Sequence, residues 1–275
     1  MAPEALPTPR SRPPWALVTG GSSGIGLALA EALRGRGCHV VILGRDAGRL
    51  AAALVRLGGT HVEPLAMDVT EGPAVAAGMA ALVARLGAPE WVITSAGLAI
   101  PGRFLEQPVA EHEAQWRANY LGTLHVVHAL APAMARAGQG RIILLSSAAA
   151  LGGFAGYGAY APSKWAVRGL GEVLSLELGA HGVHVLTAFP PDTDTPQLAE
   201  ERARRPAFTA RFAAGNTPLS AGFVAARILA AADRGERHVA PGFGASLLLR
   251  AGRPFARYLE AAQRKLLRRH PEDSR

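Results

Sequence analysis

The 275-residue sequence predicts an α/β fold, a doubly wound parallel sheet of about seven strands in a single domain. Three observations carry that expectation. Short apolar runs alternate with longer alanine- and leucine-rich segments, the rhythm of strands joined by crossover helices in a sheet covered on both faces. The first run leads into a glycine-rich turn that opens a helix. Hydrophobic residues make up 49% of the chain, enough for a large core at a length that suits one domain.

The strands read, in order, as Ala16–Val18, His39–Leu43, Val62–Met67, Trp91–Thr94, Arg141–Leu145 and His184–Phe189, with a short last one at His238–Ala240. Between them the pattern predicts helices over Ile25–Arg34, Ala47–Leu57, Pro73–Leu86, Val109–Ala137, Tyr160–Gly179 and Ser220–Arg234. Gly35, Gly58, Gly87, Gly138 and Gly235 stand as stop signals at their ends. The proline- and charge-rich stretch 190–218 breaks the rhythm and is expected to be a mobile lid. Residues 1–14 carry several prolines and no apolar run, so they read as a disordered tail, not a secretory signal. The main domain is then 15–243. The tail 244–275 is basic and amphipathic, with leucines at 247–249, 259, 266 and 267 interleaved with Arg250, Arg253, Arg257, Arg264, Lys265, Arg268 and Arg269. It suits either a membrane surface or a helix packed on the core.

Composition narrows the chemistry. A formal charge of +8 suits an anionic membrane face as well as a generally arginine-rich background, and nucleic acid is not an expected partner. Cys38 is the only cysteine, which excludes an intramolecular disulfide and a cysteine-rich metal site and fits a reducing cytoplasm. His125 and His128 share a helix face without a ligand-type motif around them, so no metal is expected. No apolar run reaches the roughly 18 residues of a spanning helix.

The first strand runs into Thr19-Gly20-Gly21-Ser22-Ser23-Gly24-Ile25-Gly26. Glycines let the backbone turn sharply and approach a pyrophosphate, and the helix N-terminus offers it free amides and a positive dipole, to which Ser22 and Ser23 add hydroxyls. In this strand–turn–helix setting the motif predicts a Rossmann-type dinucleotide site. The second strand ends at Gly44-Arg45, with Arg49 one helical turn on. No acid stands there to hold a ribose 2′-hydroxyl, so two guanidiniums in its place favour the 2′-phosphate of NADP. The same arginines also read as solvated surface groups.

Only two lysines occur in the chain, and Lys164 lies four residues after Tyr160. On a helix that spacing puts both on one face, where an ammonium is expected to lower the phenol pKa and make Tyr160 a usable proton donor. Ser147 ends the fifth strand, with a hydroxyl for a substrate oxygen. Asn119, one of two asparagines, sits within the expected fourth helix.

Together, Thr19-Gly20 through Gly26, Asn119, Ser147 and Tyr160-x-x-x-Lys164 resemble the short-chain dehydrogenase family from Gly20 to about Arg234. Within it the chain is similar to the 3-ketodihydrosphingosine (3-ketosphinganine) reductases. That likeness rests on Phe189 to Pro196 (FPPDTDTP) followed by Ala199-Glu200-Glu201, on Ala159 to Leu170 (AYAPSKWAVRGL), and on Asn119-Tyr120-Leu121-Gly122. Two departures stand out. Thr94-Ser95-Ala96-Gly97 replaces Asn-Asn-Ala-Gly, leaving a threonine hydroxyl to make some of the lost hydrogen bonds, and Pro191 replaces a glycine in the Pro-Gly-x-x-x-Thr loop.

The resemblance implies NADPH-dependent reduction of 3-ketosphinganine to sphinganine. In it Tyr160 donates the proton, Ser147 binds the ketone oxygen, Lys164 holds the nicotinamide ribose, and Asn119 anchors a water beneath Lys164. It places Asp68 and Val69 at the adenine edge, Ala96 and Gly97 against the cofactor, and Pro190, Thr193 and Thr195 around the carboxamide. Asp192, Asp194 and Glu200 read either as partners of the substrate ammonium or as solvated lid residues. About fifteen methylenes at roughly 0.8 kcal/mol each keep such a ketone in a bilayer. The tail then offers peripheral contact with the cytoplasmic membrane face, and a homo-oligomer is compatible with the sequence. A general carbonyl or 3-oxoacyl reductase, and a non-catalytic dinucleotide-binding protein, are the alternatives.

Overall fold

The computed structural model describes residues 13–269, so most of the expected N-terminal tail and residues 270–275 lie outside the described residues. Seven parallel strands form one sheet: β1 (Trp15–Thr19), β2 (His39–Gly44), β3 (Val62–Ala66), β4 (Trp91–Thr94), β5 (Gly140–Leu145), β6 (Val183–Ala188) and, at one edge, the short β9 (His238–Val239). Their order is β3-β2-β1-β4-β5-β6-β9. The chain therefore reverses its winding between β1 and β4, and the loops leaving those two strands part to open a crevice at their carboxyl ends.

Alternation along the strands feeds two apolar layers. Val40 and Ile42 of β2 join one layer with Leu29 and Leu33 of α1 (Gly24–Gly35) and Ile228 and Leu229 of α9 (Ala221–Asp233). Val41 and Leu43 join the other, with Met79 of α3 (Gly72–Leu86), Leu130 and Met134 of α5 (Gly122–Ala137) and Val167 of α6 (Tyr160–Glu177). Both faces of the sheet are covered, which is why its strands are near-continuously apolar. Each buried leucine or isoleucine contributes about 1.5–3 kcal/mol.

Local signals set the helix ends. Asp46 accepts from Arg49 N at 2.9 Å and caps α2 (Ala47–Arg56), and Ser220 caps α9 through Phe223 N. Gly58, Gly87, Gly138 and Gly235 all take positive φ where helices stop. Gly35 does not. It completes α1, and the left-handed turn falls on Gly37 at φ +80°.

Three segments add detail that the sequence pattern did not define. The long fourth helix is interrupted: α4 (Val109–Trp116) passes through a π-helical turn at Arg117–Leu121 before α5 begins. The stretch expected as a lid is built of regular elements, with β7 (Thr193–Asp194) paired in parallel to β8 (Leu219–Ser220) and helices α7 (Pro196–Arg204) and α8 (Ala207–Ala213) between them. The basic tail folds onto the domain as α10 (Phe243–Ala251) and α11 (Arg253–Arg269), bounding a third apolar cluster in which Leu248 and Ala245 meet Phe189 and Leu151. Gln263 of α11 is buried and donates to Gly153 O at 2.8 Å while accepting from Ala155 N at 2.9 Å.

The hydroxyl of Thr94 does not make the substitute bonds expected of it. Thr94 is 2% exposed, and its Oγ1 has no partner among the described residues, whereas Thr19 Oγ1 accepts from Ala96 N at 3.0 Å on the neighbouring strand. An unsatisfied buried hydroxyl costs about 1–3 kcal/mol. Thr94→Val, which keeps the shape and removes that group, is expected to raise unfolding stability by about 1 kcal/mol, read from the urea midpoint at unchanged slope; a lower midpoint would show that the hydroxyl is satisfied.

Candidate active site

One cavity of about 680 Å³ opens at the crevice and takes in residues from six segments of the chain. Its inner wall is the glycine turn. Gly20 has φ +63°, and a Cβ there would lie 2.9 Å from the backbone N and Cα of Ala96. Gly24 has φ +53°, with Thr195 Cγ2 only 2.8 Å from where its Cβ would stand. Side chains are thus excluded on conformational and steric grounds at once. Ser23 precedes α1 without making a side-chain cap, so its hydroxyl and the first amides of the helix remain for a ligand. Ser22, Ser23, Ile25, Ala96 and Gly97 line the same wall, and Pro190, Thr193 and Thr195 face it from the end of β6. This cradle fits a pyrophosphate.

Gly26 lies behind the wall, where it lets α1 pass close to Gly20. Arg45 and Arg49 stand outside the cavity lining, 71% and 60% exposed. Arg45 is 3.7 Å from Asp68, and Arg49 is 3.8 Å from Asp46 and 4.0 Å from Glu200. Such loose surface pairs contribute little and leave both guanidiniums available. Asp68 accepts from Thr70 N at 2.9 Å, shaping the turn after β3, and Val69 beside it is buried against Gly122.

Ser147, Tyr160 and Lys164 all line the cavity. Several polar contacts hold the first turns of α6 in place. Ser146 Oγ donates to Lys164 O at 2.8 Å, joining the helix to the end of β5. Ser163 Oγ donates to Tyr160 O at 2.6 Å and accepts from Asn119 Nδ2 at 2.9 Å. Asn119 is fully buried in the π turn, and its amide also brackets Leu98, accepting from its N at 2.7 Å and donating to its O at 2.9 Å. Asn119 therefore stands behind the cavity. From the π turn its amide ties the loop after β4 to α6.

Lys164 is 6% exposed and donates from Nζ to Leu145 O at 2.9 Å. Burial pushes its pKa down to about 8. The Tyr160 phenol moves upward, against the sequence expectation. Burial is the main cause, the Glu201 carboxylate is the second, Asp192 adds to them, and only the Ser147 hydroxyl pulls the other way. The ammonium lies 5.8 Å from the Tyr160 ring centroid, and that is not close enough to outweigh these effects.

Glu201 belongs to a network that spacing alone did not reveal. Tyr157 OH donates to Glu201 Oε1 at 2.5 Å, and Arg205 donates to the same oxygen from Nε at 3.1 Å and Nη2 at 2.5 Å. The Arg205 guanidinium also grips both oxygens of Asp192 at 2.9 Å. These residues fasten α7 to the segment before α6. Burial, and after it the Glu201 carboxylate, drive the Tyr157 phenol far above its ordinary range. Arg205 at i+4 from Glu201 on a helix was the one available signal. Asp194 and Glu200, by contrast, are exposed. Beyond the network Phe154, Phe212, Leu248, Phe255 and Leu259 line the cavity, with Thr209, Asn216 and Gln263 among them.

Comparison with known proteins agrees with this geometry. A family model described as short chain dehydrogenase matches residues 14–206. A 3-dehydrosphinganine reductase of Danio rerio is 34% identical over 69% of this chain and 59% of its own length. One of Arabidopsis thaliana is 37% identical over 76% of this chain and 63% of its own. The matched part of the chain thus spans about three fifths of these relatives. Among solved structures, a short-chain dehydrogenase from Streptomyces avermitilis superposes with a TM-score of 0.77 at 26% identity, covering 96% of this chain and 98% of that one. One from Sphingobium yanoikuyae, solved with NADPH, gives 0.75 at 28% identity over 92% and 95%. With a doubly wound sheet, a glycine cradle and a tyrosine–lysine pair in one cavity, the chain belongs to the short-chain dehydrogenase family.

Proposed function

We propose that the protein reduces the ketone of 3-ketosphinganine to sphinganine with NADPH. The observation that carries this reading is the continuity of one cavity, from the glycine cradle past Ser147, Tyr160 and Lys164 into an apolar passage between Phe154, Phe212, Leu248, Phe255 and Leu259. A long alkyl chain gains about 0.8 kcal/mol for each methylene it buries there. The names of the relatives from zebrafish and Arabidopsis support the same substrate, and the structure solved with NADPH supports the cofactor.

When bound, NADPH supplies the hydride. Gly20, Ser22, Ser23, Gly24 and Ile25 would hold its pyrophosphate, Ala96 and Gly97 would lie along it, and Pro190, Thr193 and Thr195 would take the carboxamide. Arg45 and Arg49 would reach the 2′-phosphate, near Asp68 and Val69 at the adenine. Lys164 would bind the ribose of the nicotinamide. On the substrate, Ser147 donates a hydrogen bond to the ketone oxygen and Tyr160 hands it a proton as negative charge develops. A phenol held above its ordinary pKa keeps that proton until a stronger base appears, and an alkoxide is one. The phenol is thus in its proton-donating form when the hydride arrives.

Membrane contact at the cavity mouth completes the proposal. Phe243 is 86% and Tyr258 67% exposed, with Tyr258 stacked on the cavity residue Phe255 and with Arg250 and Arg257 exposed nearby in sequence. Aromatic groups flanked by arginines suit an anionic bilayer, from which the ketone enters. No helix among the described residues is long and apolar enough to cross a membrane. Self-association fits Val173 and Leu176, which α6 leaves 50% and 68% exposed.

One kinetic series tests the assignments. Purified protein should reduce 3-ketosphinganine with NADPH. Tyr160→Phe should lose about 10³-fold in kcat with NADPH affinity kept, and Arg45→Ala should raise the KM for NADPH about tenfold while leaving that for NADH in place. Undiminished turnover in the first variant, or equal effects in the second, removes the corresponding role.

The pH profile follows from Lys164. Its charge is present below about 8 and lost above it, while Tyr160 stays protonated throughout. Wild-type kcat/KM, which reports free enzyme, should therefore be level at neutral pH and fall about tenfold per unit above a midpoint near 8. A rate that rises through that range would contradict the assignment. For the membrane contact, Phe243→Ser should weaken co-sedimentation with phosphatidylserine vesicles, and unchanged binding would exclude the mouth as the contact.

A further inference from the structure

The Tyr157–Glu201–Arg205–Asp192 network is more than the reduction of a ketone requires. Two carboxylates face one guanidinium, so the group carries a net charge of −1 at the substrate end of the cavity. Lys164, the other charged residue on the lining, donates to Leu145 O at the end of β5 and takes no part in the network. Glu201 is 8% exposed, a burial that carboxylates tolerate only when paired. The pairing is lopsided. All three hydrogen bonds from Tyr157 and Arg205 converge on Oε1, and Oε2 has no partner among the described residues although Glu201 lines the cavity. Oε2 is not enclosed without an outlet either, since it is absent from the fully buried polar atoms that lack partners.

We propose that Glu201 Oε2 is the receptor for an ammonium carried next to the ketone, so that the site selects 2-amino ketones over plain ketones. The inference rests on the proposed function and deepens it by naming the group that distinguishes this substrate. A cation bound there completes the charge balance of the network and takes the place that water would otherwise hold. It also changes the proton donor. Glu201 is the strongest charge acting on Tyr160 and raises its pKa, so an ammonium on Glu201 cancels part of that effect and eases the phenol proton toward the developing alkoxide. The substrate thus helps to activate the group that reduces it. Asp192 is held by Arg205 through both oxygens and is not free for this role. Asp194 and Glu200 are exposed to solvent, where an ion pair discriminates little.

The test compares 3-ketosphinganine with 1-hydroxyoctadecan-3-one, the same chain without its amine, on the full chain with NADPH. Binding of sphinganine and of octadecane-1,3-diol to the same protein is measured alongside. Wild-type protein should prefer the amino ketone about 10- to 100-fold in kcat/KM, the range of a hydrogen bond to a charged group. Glu201→Gln should remove that preference, slowing the amino ketone while leaving the plain ketone no slower, and should weaken sphinganine binding without weakening diol binding. Tyr157→Phe takes a donor from the same carboxylate and keeps its charge, so the preference should survive in it. Equal losses on both ketones in Glu201→Gln would overturn the proposal, as would a preference lost equally in Tyr157→Phe, since either result makes the network a fastening for α7 and nothing more. If neither ketone turns over while sphinganine still binds through Glu201, amine recognition stands and the assigned reaction falls.

Discussion

The site depends on one constraint: the first turns of α6 must be buried against β5 with a phenol and an amine on the same face. An ammonium sheltered from water is costly, and here it is tolerated because Leu145 O, at the end of β5, lies 2.9 Å from Lys164 Nζ. Ser146 and Ser163 then fix the helix from its two sides, one to the sheet and one to the π turn. Removing any of these contacts leaves the two reactive groups on the helix but no longer fixes where they point.

The π turn at Arg117–Leu121 shows how a local irregularity serves that constraint. In an uninterrupted helix, position 119 would direct its side chain along the regular 3.6-residue register. The wider turn brings Leu98 and Ser163 within hydrogen-bond distance at 2.7–2.9 Å. The irregularity is held in place by the very contacts it permits. Gly97 belongs to the same arrangement, because a Cβ there would lie 2.9 Å from Asn119 Oδ1.

Much of the fold was legible in the sequence because strands buried on both faces are written as apolar runs, and because glycine, proline and cap residues mark where helices begin and stop. The cradle and the Ser147, Tyr160 and Lys164 trio were legible for a related reason, since their spacing is local and survives as a motif. The failures have a different origin. Whether position 119 lies in an α or a π turn depends on contacts with residues 98 and 163, which no window of sequence contains. The Glu201 network joins residue 157 to 192, 201 and 205 across a loop whose path the pattern did not define. The direction of the Tyr160 shift was misread because i,i+4 spacing reveals a neighbouring ammonium, whereas burial and a carboxylate from another helix outweigh it. Gly35 and Gly37 differ only in which of two neighbouring glycines takes the left-handed turn.

The closing helices carry a consequence for how the molecule is assembled during synthesis. Leu248, Phe255, Leu259 and Gln263 close the side of the cavity opposite the cradle, and Gln263 reaches back to Gly153 across 110 residues. A ribosome therefore releases the nucleotide half of the cavity long before the half meant for the alkyl chain exists. Until α10 and α11 dock, the nascent molecule lacks the cover that Ala245, Leu248, Phe255 and Leu259 give to the cluster around Phe154 and Phe189, an apolar surface that invites chaperones or aggregation. A chain clipped near Gly252 would keep its dinucleotide cradle and α10 but would lose Phe255, Leu259 and Gln263 from the far wall for good.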